Sequence, residues 1–299
     1  MSSLLETTDV PMTNILEKCG FKSVLTLRKV CHSLRNFIDD TCFKTGLDNI
    51  RITIGPTFSV ICQTQQSIGF AKDWTSNDLK VILKMAQNSK LSCFTVNINS
   101  DSVRGLNDLE EILKNQTRPL QIEHFEMEGS EILKVLPYID SKPLKRISIN
   151  PENYETDNQN LDGIEKMLEL EQFKNAVELT IDYCFLVRAD LRKFFHFQRV
   201  HVKLYETSLE ELVALKEAFV ASTHMEDFEL DGRDLDESHF EQVFGTPIHG
   251  PRYPLGGSQW FFEIHNCKEH VLRIDLALDG IGFRKLKTKE VPQDAVVQR

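Results

Sequence analysis

No apolar run in this sequence reaches the roughly 18 residues that a membrane-crossing helix requires, which excludes a helical membrane protein. The start, MSSLLETTDVPMTN, carries acids where a secretory leader needs a basic flank and a longer apolar stretch. An intracellular protein, cytoplasmic or nuclear, is therefore expected. A positive surplus is also missing. Lys and Arg number 35 against 45 Asp and Glu, and the net charge of −10 argues against a nucleic-acid partner, which needs clustered cations. None of the seven cysteines (19, 31, 42, 62, 93, 184 and 267) forms a C-x-x-C. Most sit inside apolar patterns, where reduced cysteine behaves as a small hydrophobe, and the Asn115-Gln-Thr117 sequon then carries no sugar.

Catalytic motifs are equally scarce. There is no G-x-x-x-x-G-K, G-x-G-x-x-G, H-E-x-x-H or G-x-S-x-G, so neither an enzyme nor a cofactor is expected. LGGSQ at 255–259 has two glycines but lacks the strand–turn–helix context of a phosphate loop. The nearest approach to a metal site is His265, Cys267 and His270, a mix that zinc accepts. No fourth ligand accompanies them, and a polar turn is the better reading. EDFELDGRDLDESHFEQ (226–242) holds eight acids against Arg233, but its glycine is misplaced for a calcium loop. It reads as a solvated rim or as an attraction for a basic partner. His196 and His201 interleave with Phe194, Phe195 and Phe197 and read as structural.

What is present falls into three regions. In FKSVLTLRKVCHSLRNFIDD (21–40), apolar residues recur at Leu27, Val30, Cys31, Leu34, Phe37 and Ile38, one stripe of a 3.6-period helix. Before it, Asp9 suits an N-cap, Pro11 a first turn, and Gly20 breaks the run. About 40 residues do not bury such a stripe internally, so a partner should share it. The five Lys and Arg between residues 17 and 35, against Glu17 alone, complement an acidic partner. Residues 48–75 alternate as strands do, through Ile50, Ile52 and Ile54, then FSVICQT after Gly55-Pro56, a hairpin signal.

The third region repeats. LSCFTV (91–96), IEHFEM (122–127), LKRISI (144–149), AVELTI (176–181), FQRVHV (197–202) and MEDFEL (225–230) share one template, Φ-x-x-Φ-x-Φ with Φ apolar. Helical segments lie between them, and Thr207 with Glu210 suggests a capping box before the last. A strand followed by a helix at this period is the leucine-rich-repeat signature, and Asn99 and Cys184 stand where it wants Asn or Cys. The spacing is irregular, so the expected fold is α/β, a degenerate leucine-rich-repeat-like solenoid capped by β-hairpins. An ordinary α/β domain with a mostly parallel sheet is the alternative. In a solenoid the residues between the Φ positions line the concave face: Thr95, Asn97, Glu126, Ser148, Glu178, Thr180, His201, Lys203, Asp227 and Glu229. That face is acidic with a basic spot at His201 and Lys203. It suits protein recognition, or is simply a solvated sheet face. FGTPIHGPRYPLGG (244–257) reads as a loop, QWFFEIHNCKEHVLRIDLAL as two strands around an Asn266–Glu269 turn, and the tail from Thr288 as disordered.

LETTDVPMTNILEKCGFKSVLTLRKVCHSLRNFIDD (5–40) resembles an F-box, with Ile15-Leu16, Phe21, Leu25, Leu27, Val30-Cys31, Leu34 and Phe37 in the family's apolar ladder. With LEELVALKEAF…FELDG and QWFFEI…VLRI downstream, the chain resembles nematode F-box proteins with a C-terminal FTH domain, the F-box A type. The resemblance implies a three-helix F-box over 4–44 and an FTH domain over 76–287, between and after which the residue patterns place a linking or capping hairpin over 48–75 and a disordered tail over 288–299. It implies a break near Val30 and Cys31. It also implies docking on the adaptor subunit of an SCF-type cullin ubiquitin ligase through Val10, Ile15, Leu16, Phe21, Leu25, Leu27, Val30, Cys31, Leu34 and Phe37. The FTH domain would hold an intracellular target. Thr8 stands where the family has proline, Pro11 where it has an aliphatic residue, and Cys19 where it has leucine. The leucine-to-thiol change costs on the order of 1 kcal/mol.

Overall fold

Gly20, with an extended backbone, stops the first helix and starts the second, so the N-terminal segment folds as short helices rather than one rod. The computed structural model describes residues 9–41, 43–64, 67–99, 103–151, 159–161, 163–182, 185–231, 237–249, 257–277, 280–293 and 295–298. They form a mixed α/β protein that divides into two compact units between Lys145 and Arg146. Thr8, Cys42 and Cys184 lie outside the described residues.

The first unit opens with α1 (Asp9–Lys18), α2 (Phe21–Leu27) and α3 (His32–Asp40). The single stripe expected over 27–38 is corrected here. Cys31 is extended (φ −158°, ψ 164°) and its Sγ accepts the Leu34 N–H at 3.5 Å, making it the N-cap of α3. The periodicity survives because two helices meet at a turn that happens to keep phase. Leu34 and Ile38 are buried, whereas Val30 in the turn is 66% exposed.

A meander follows: β1 (Leu47–Ile54), β2 (Phe58–Thr64) and β3 (Ser67–Trp74), antiparallel in order. Then come α4 (Ser76–Ala86), β4 (Lys90–Ile98), α5 (Val103–Lys114) and β5 (Gln121–Glu128), with β1, β4 and β5 parallel. Helix α4 starts on a capping box between Thr75 and Asp78. Its buried Leu79, Ile82, Leu83 and Ala86, with Leu106, Leu109 and Leu113 of α5, recur at helical spacing and cover the strands. Residues 130–139, expected to be helical, form two 3-10 turns, Ile132–Lys134 and Leu136–Tyr138, because Pro137 lacks the N–H an α-helix would use.

The second unit runs β6 (Arg146–Asn150), β7 (Gln159–Asn160), α6 (Ile164–Glu169), α7 (Glu171–Asn175), β8 (Glu178–Ile181), β9 (Phe185–Leu186), β10 (Arg199–Lys203), α8 (Leu209–Ala221), β11 (Asp227–Asp231), α9 (Glu237–Phe244), β12 (Ile248–His249), β13 (Ser258–Ile264), β14 (Cys267–Ala277), β15 (Gly280–Lys287) and β16 (Val297–Gln298). Strands β6, β8, β10 and β11 are parallel neighbours in that order. Strand β15 adds antiparallel to β11, and β14, β13 and β12 continue the sheet antiparallel. Strands β7 and β9 form a separate parallel ladder. Every repeat template is thus a strand, while the connections are less regular than expected. Segment 164–173 is two helices broken at the extended Leu170, and 189–195 holds a 3-10 turn (Leu191–Phe194) capped by Asp190.

Several local expectations shift by a residue or more. The capping box of α8 is Ser208 with Glu211, not Thr207 with Glu210. The phase is set by Leu212, Leu215 and Phe219 facing the core, and Glu211 also accepts the Leu191 N–H at 3.2 Å. The turn between β13 and β14 is confined to His265 and Asn266, with Asn266 left-handed at φ 58°, a conformation asparagine tolerates. The stretch read as a loop after Phe244 contains β12. The tail carries a 3-10 turn (Thr288–Glu290) and β16, which lies parallel to β13.

Candidate protein-interaction surfaces

The N-terminal helices are held by two kinds of contact. Met12, Leu16, Phe21, Val24, Leu34 and Ile38 turn inward and are buried. Arg28, in the turn after α2, grips Asp39 of α3 with Nε at 2.7 Å and Nη2 at 2.9 Å, a bidentate pair. That hydrogen bond raises the Arg28 pKa against the effect of burial. Helix α3 in turn packs on α4.

The expected adaptor-contact residues therefore separate. Leu16, Phe21 and Leu34 belong to the protein's own interior, so the stripe is partly covered within the chain. Leu25, Leu27, Cys31 and Phe37 are half-buried, and Ile15 and Val30 face outward. The side chain of Val10 lies outside the described residues. Of the basic surplus, Arg28 is neutralised by Asp39, while Lys18, Lys22 and Lys29 are exposed. Lys22, Leu25 and Lys29 rim a cleft of about 200 Å3 floored by Trp74 and Val81.

The expected target-contact residues lie on the strands that carry the templates. In the first unit, Thr95 donates to Glu126 at 3.2 Å and is only 4% exposed. Burial, and then the charge of Glu126, raise the pKa of Glu128, with Arg51 opposing. In the second unit, Ser148 is 9% exposed and Thr180 half-buried. Thr95 and Ser148 are thus buried, whereas the solenoid reading placed them on an open face.

Charge on the second unit's face is ordered. Register places Arg146, Glu178, Arg199 and Asp227 side by side on β6, β8, β10 and β11, with Arg284 of β15 beyond. Arg146 reaches Glu178 at 2.5 Å and Arg199 reaches it at 2.6 Å. Arg199 also pairs with Glu226, and Arg284 with Asp227 at 3.1 Å and Glu229 at 2.6 Å. Burial alone would raise the Glu178 carboxyl, but hydrogen bonds from Arg146 and Arg199 bring it below its usual range. The arginines were missed in the sequence, though the third template position reads Arg146, Glu178, Arg199, Asp227 in successive units. That alternation of sign was available to a reader who aligned the templates.

The positive charge expected at His201 does not stand alone but is offset by carboxylates of β11. His201 Nε2 lies 2.6 Å from Asp231 Oδ2, and Nδ1 lies 3.3 Å from Glu229 Oε2. The Asp231 hydrogen bond, with the charges of Asp231, Glu229 and Asp182, raises the imidazole pKa despite burial. Because the folded value exceeds the unfolded value of about 6.5, this contribution to stability is full below that pH. It is lost as pH rises through the folded value. Urea unfolding at about pH 5.5 and about pH 8.5 should show the wild type losing more stability between the two than His201→Gln; equal losses would contradict the assignment. His196 is structural as expected, its Nε2 3.1 Å from the Phe173 carbonyl and its ring 4.0 Å from that of Phe197.

At the start of these strands an open cleft of about 780 Å3 is lined by Arg199, Glu226, Arg284 and Lys285, with His265, Cys267 and His270. Cys267 Sγ is 3.6 Å from His270 Nδ1. Among the described residues, no group of three or more His, Cys, Asp or Glu side chains is placed to hold a metal ion. Burial pushes the Cys62 thiol up to about 12, so it stays protonated and packs as a hydrophobe. No helix among the described residues is long and apolar enough to cross a membrane.

No curated protein matches the chain. Residues 9–46 match the F-box domain, and residues 103–248 match the FTH domain. The short helices braced by Arg28 and Asp39 are thus an N-terminal F-box domain, and an FTH domain begins at α5 and extends to β12.

Proposed function

We propose that this chain is a substrate-recognition subunit of an SCF-type cullin ubiquitin ligase, its F-box docked on the adaptor subunit and its FTH region holding an intracellular target. F-box and FTH domains are interaction modules, and the mechanism on this reading is proximity: two binding surfaces on one chain raise the target's effective concentration at the ligase. The observation that carries the reading is Val30, 66% exposed beside half-buried Leu27 in a segment that matches the F-box domain. Ile15, Leu25, Cys31 and Phe37 extend that surface, with buried Leu16, Phe21 and Leu34 behind it, and Val10 completes the proposed contact set. On this reading the six template strands and their connections form a degenerate leucine-rich-repeat-like series, and the target lies against its polar face. The domains that go with this reading are an F-box over 4–44, capping strands over 48–75 and an FTH substrate-binding region over 76–287.

Leu27→Asp combined with Val30→Asp should lower adaptor capture by about tenfold or more, since charges at a desolvated apolar contact cost several times RT. Val30 is exposed, so Val30→Asp alone should leave the thermal unfolding of the chain within about 0.5 kcal/mol of wild type. Unchanged adaptor binding in a pull-down with the double variant would overturn the proposal. A second reading, a scaffold or competitor that no longer engages the ligase, draws support from Pro11 and Cys19, which depart from the F-box pattern in α1 and its end. Calorimetry with the purified adaptor separates the two: sub-micromolar binding favours the receptor, and none favours the scaffold.

A further inference from the structure

Strand β13 is covered on one side by β14 along its length, but its other edge is covered in two pieces. Strand β12 takes Ser258 and Gln259, and the chain's own tail takes the next stretch, with Val297 opposite Phe261 and Gln298 opposite Phe262. A two-residue parallel ladder is a weak hold. Beside it Val296 is 72% exposed, and Val297 and Gln298 are half-buried.

The place the tail fills is nevertheless a built one. Gln298 Nε2 donates to the Phe244 carbonyl at 2.7 Å, satisfying a backbone acceptor at the end of α9. The neighbouring carbonyl, of Gly245, is taken at 2.7 Å by the indole N–H of buried Trp260. Gly245 is left-handed (φ 79°), and a Cβ on it would press on the Gln298 amide at 3.3 Å. The glycine thus leaves room for the amide. On the opposite face Val297 shares a register position with Phe261, an aromatic ring only 1% exposed.

We propose that this edge of β13 is a peptide-capture slot that residues 297–298 occupy in place of a target. The ligand is an extended protein segment running parallel to β13, with an aliphatic residue beside Phe261 followed by a glutamine whose amide reaches the Phe244 carbonyl. Main-chain pairing supplies affinity and the two side chains supply selectivity, as in other strand additions at a sheet edge. The tail competes as a tethered ligand, at an effective concentration on the order of 1 mM. A free segment therefore enters only when it offers more contacts than two residues do. The slot deepens the receptor reading, on which its role in target capture rests.

The probe is a fluorescent peptide of residues 293–299, QDAVVQR, titrated against three proteins and followed by polarisation. They are the intact chain, the chain ending at Gln293, and full-length Gln298→Ala. The shortened chain and Gln298→Ala should each bind the probe at least about tenfold more tightly than the intact chain. A probe with alanine in place of its glutamine should lose most of that gain. Equal affinity for intact and altered chains, including none for any of them, overturns the slot. So does an alanine probe that binds as well as its parent. Gln298→Ala removes only an amide at the rim, so it keeps the test valid should the shortened chain misfold. Adaptor capture by the same proteins is read separately. Its loss removes the receptor reading and leaves the slot standing, whereas a failed probe titration removes the slot alone.

Discussion

Phe244→Ala should lower the unfolding free energy by about 3–5 kcal/mol, the range for emptying a buried aromatic site. Phe244 is 1% exposed, and its ring lies 5.9 Å from that of Trp260, 6.0 Å from those of Phe240 and Phe262, and 6.5 Å from that of Phe283. These rings come from α9, β13 and β15, so one truncation loosens the helix from two strands at once. Little relaxation is available, because collapse of one ring would pull the others off their edge-on contacts. Urea unfolding followed through tryptophan fluorescence measures the loss. A value under about 1 kcal/mol would mean that the cluster repacks and that the site is far softer than its burial implies. Phe244→Leu keeps much of the volume and should cost clearly less.

Gly280→Val should cost about 3 kcal/mol or more, by a different route. Gly280 opens β15 opposite Asp231 of β11 and Ala277 of β14. A Cβ there would run into the Leu230 carbonyl oxygen and come within 3.2 Å of the Asp231 Cα. Those are main-chain atoms, which do not move aside as a flexible side chain does. Strand β15 would have to lift from β11, carrying Arg284 away from Asp227 and Glu229 and baring a strand edge prone to association. Gly282, two residues on, is the internal control. Nothing lies within 4 Å of a Cβ built on it, so Gly282→Ala should stay within about 0.5 kcal/mol of wild type. Matching losses at the two positions, measured by thermal unfolding, would refute the steric account.

Much of this architecture was legible in the residues, and the failures have physical causes. The six templates all became strands, each burying its three Φ side chains, a spacing of apolar positions that strand alternation accommodates. Connections were harder to read. Residues 130–139 have the apolar content of a helix, yet Pro137 and tight packing divide them into 3-10 turns. The break at Cys31 is invisible to periodicity, since the turn preserves the phase of the stripe; the resemblance to an F-box supplied it. At the surface, the sequence offered polarity without partners. His201 read as an unpaired positive charge, but β11 brings Asp231 and Glu229 against it, about thirty residues away in the chain but adjacent in the sheet. The role of residues 297–298 had no signal at all, because a two-residue parallel pairing depends on where β13 leaves an edge.

The N-terminal helices do not hang on a tether. Lys44 N–H reaches Glu17 across the corner between α1 and β1 at 3.4 Å, Thr45 meets Ser89 at 2.9 Å, and α3 lies on α4 within one compact unit. A protein that grips those helices therefore acquires a fixed bearing on β4 and β5, as a bracket fixes the angle of a shelf. The Arg28–Asp39 pair ties the turn that carries Val30 to α3, and the packing of α3 on α4 carries that tie on toward the sheet. Glycine-rich residues inserted between Thr41 and Leu47 would convert that bracket into a hinge, leaving each face intact while destroying the angle between them.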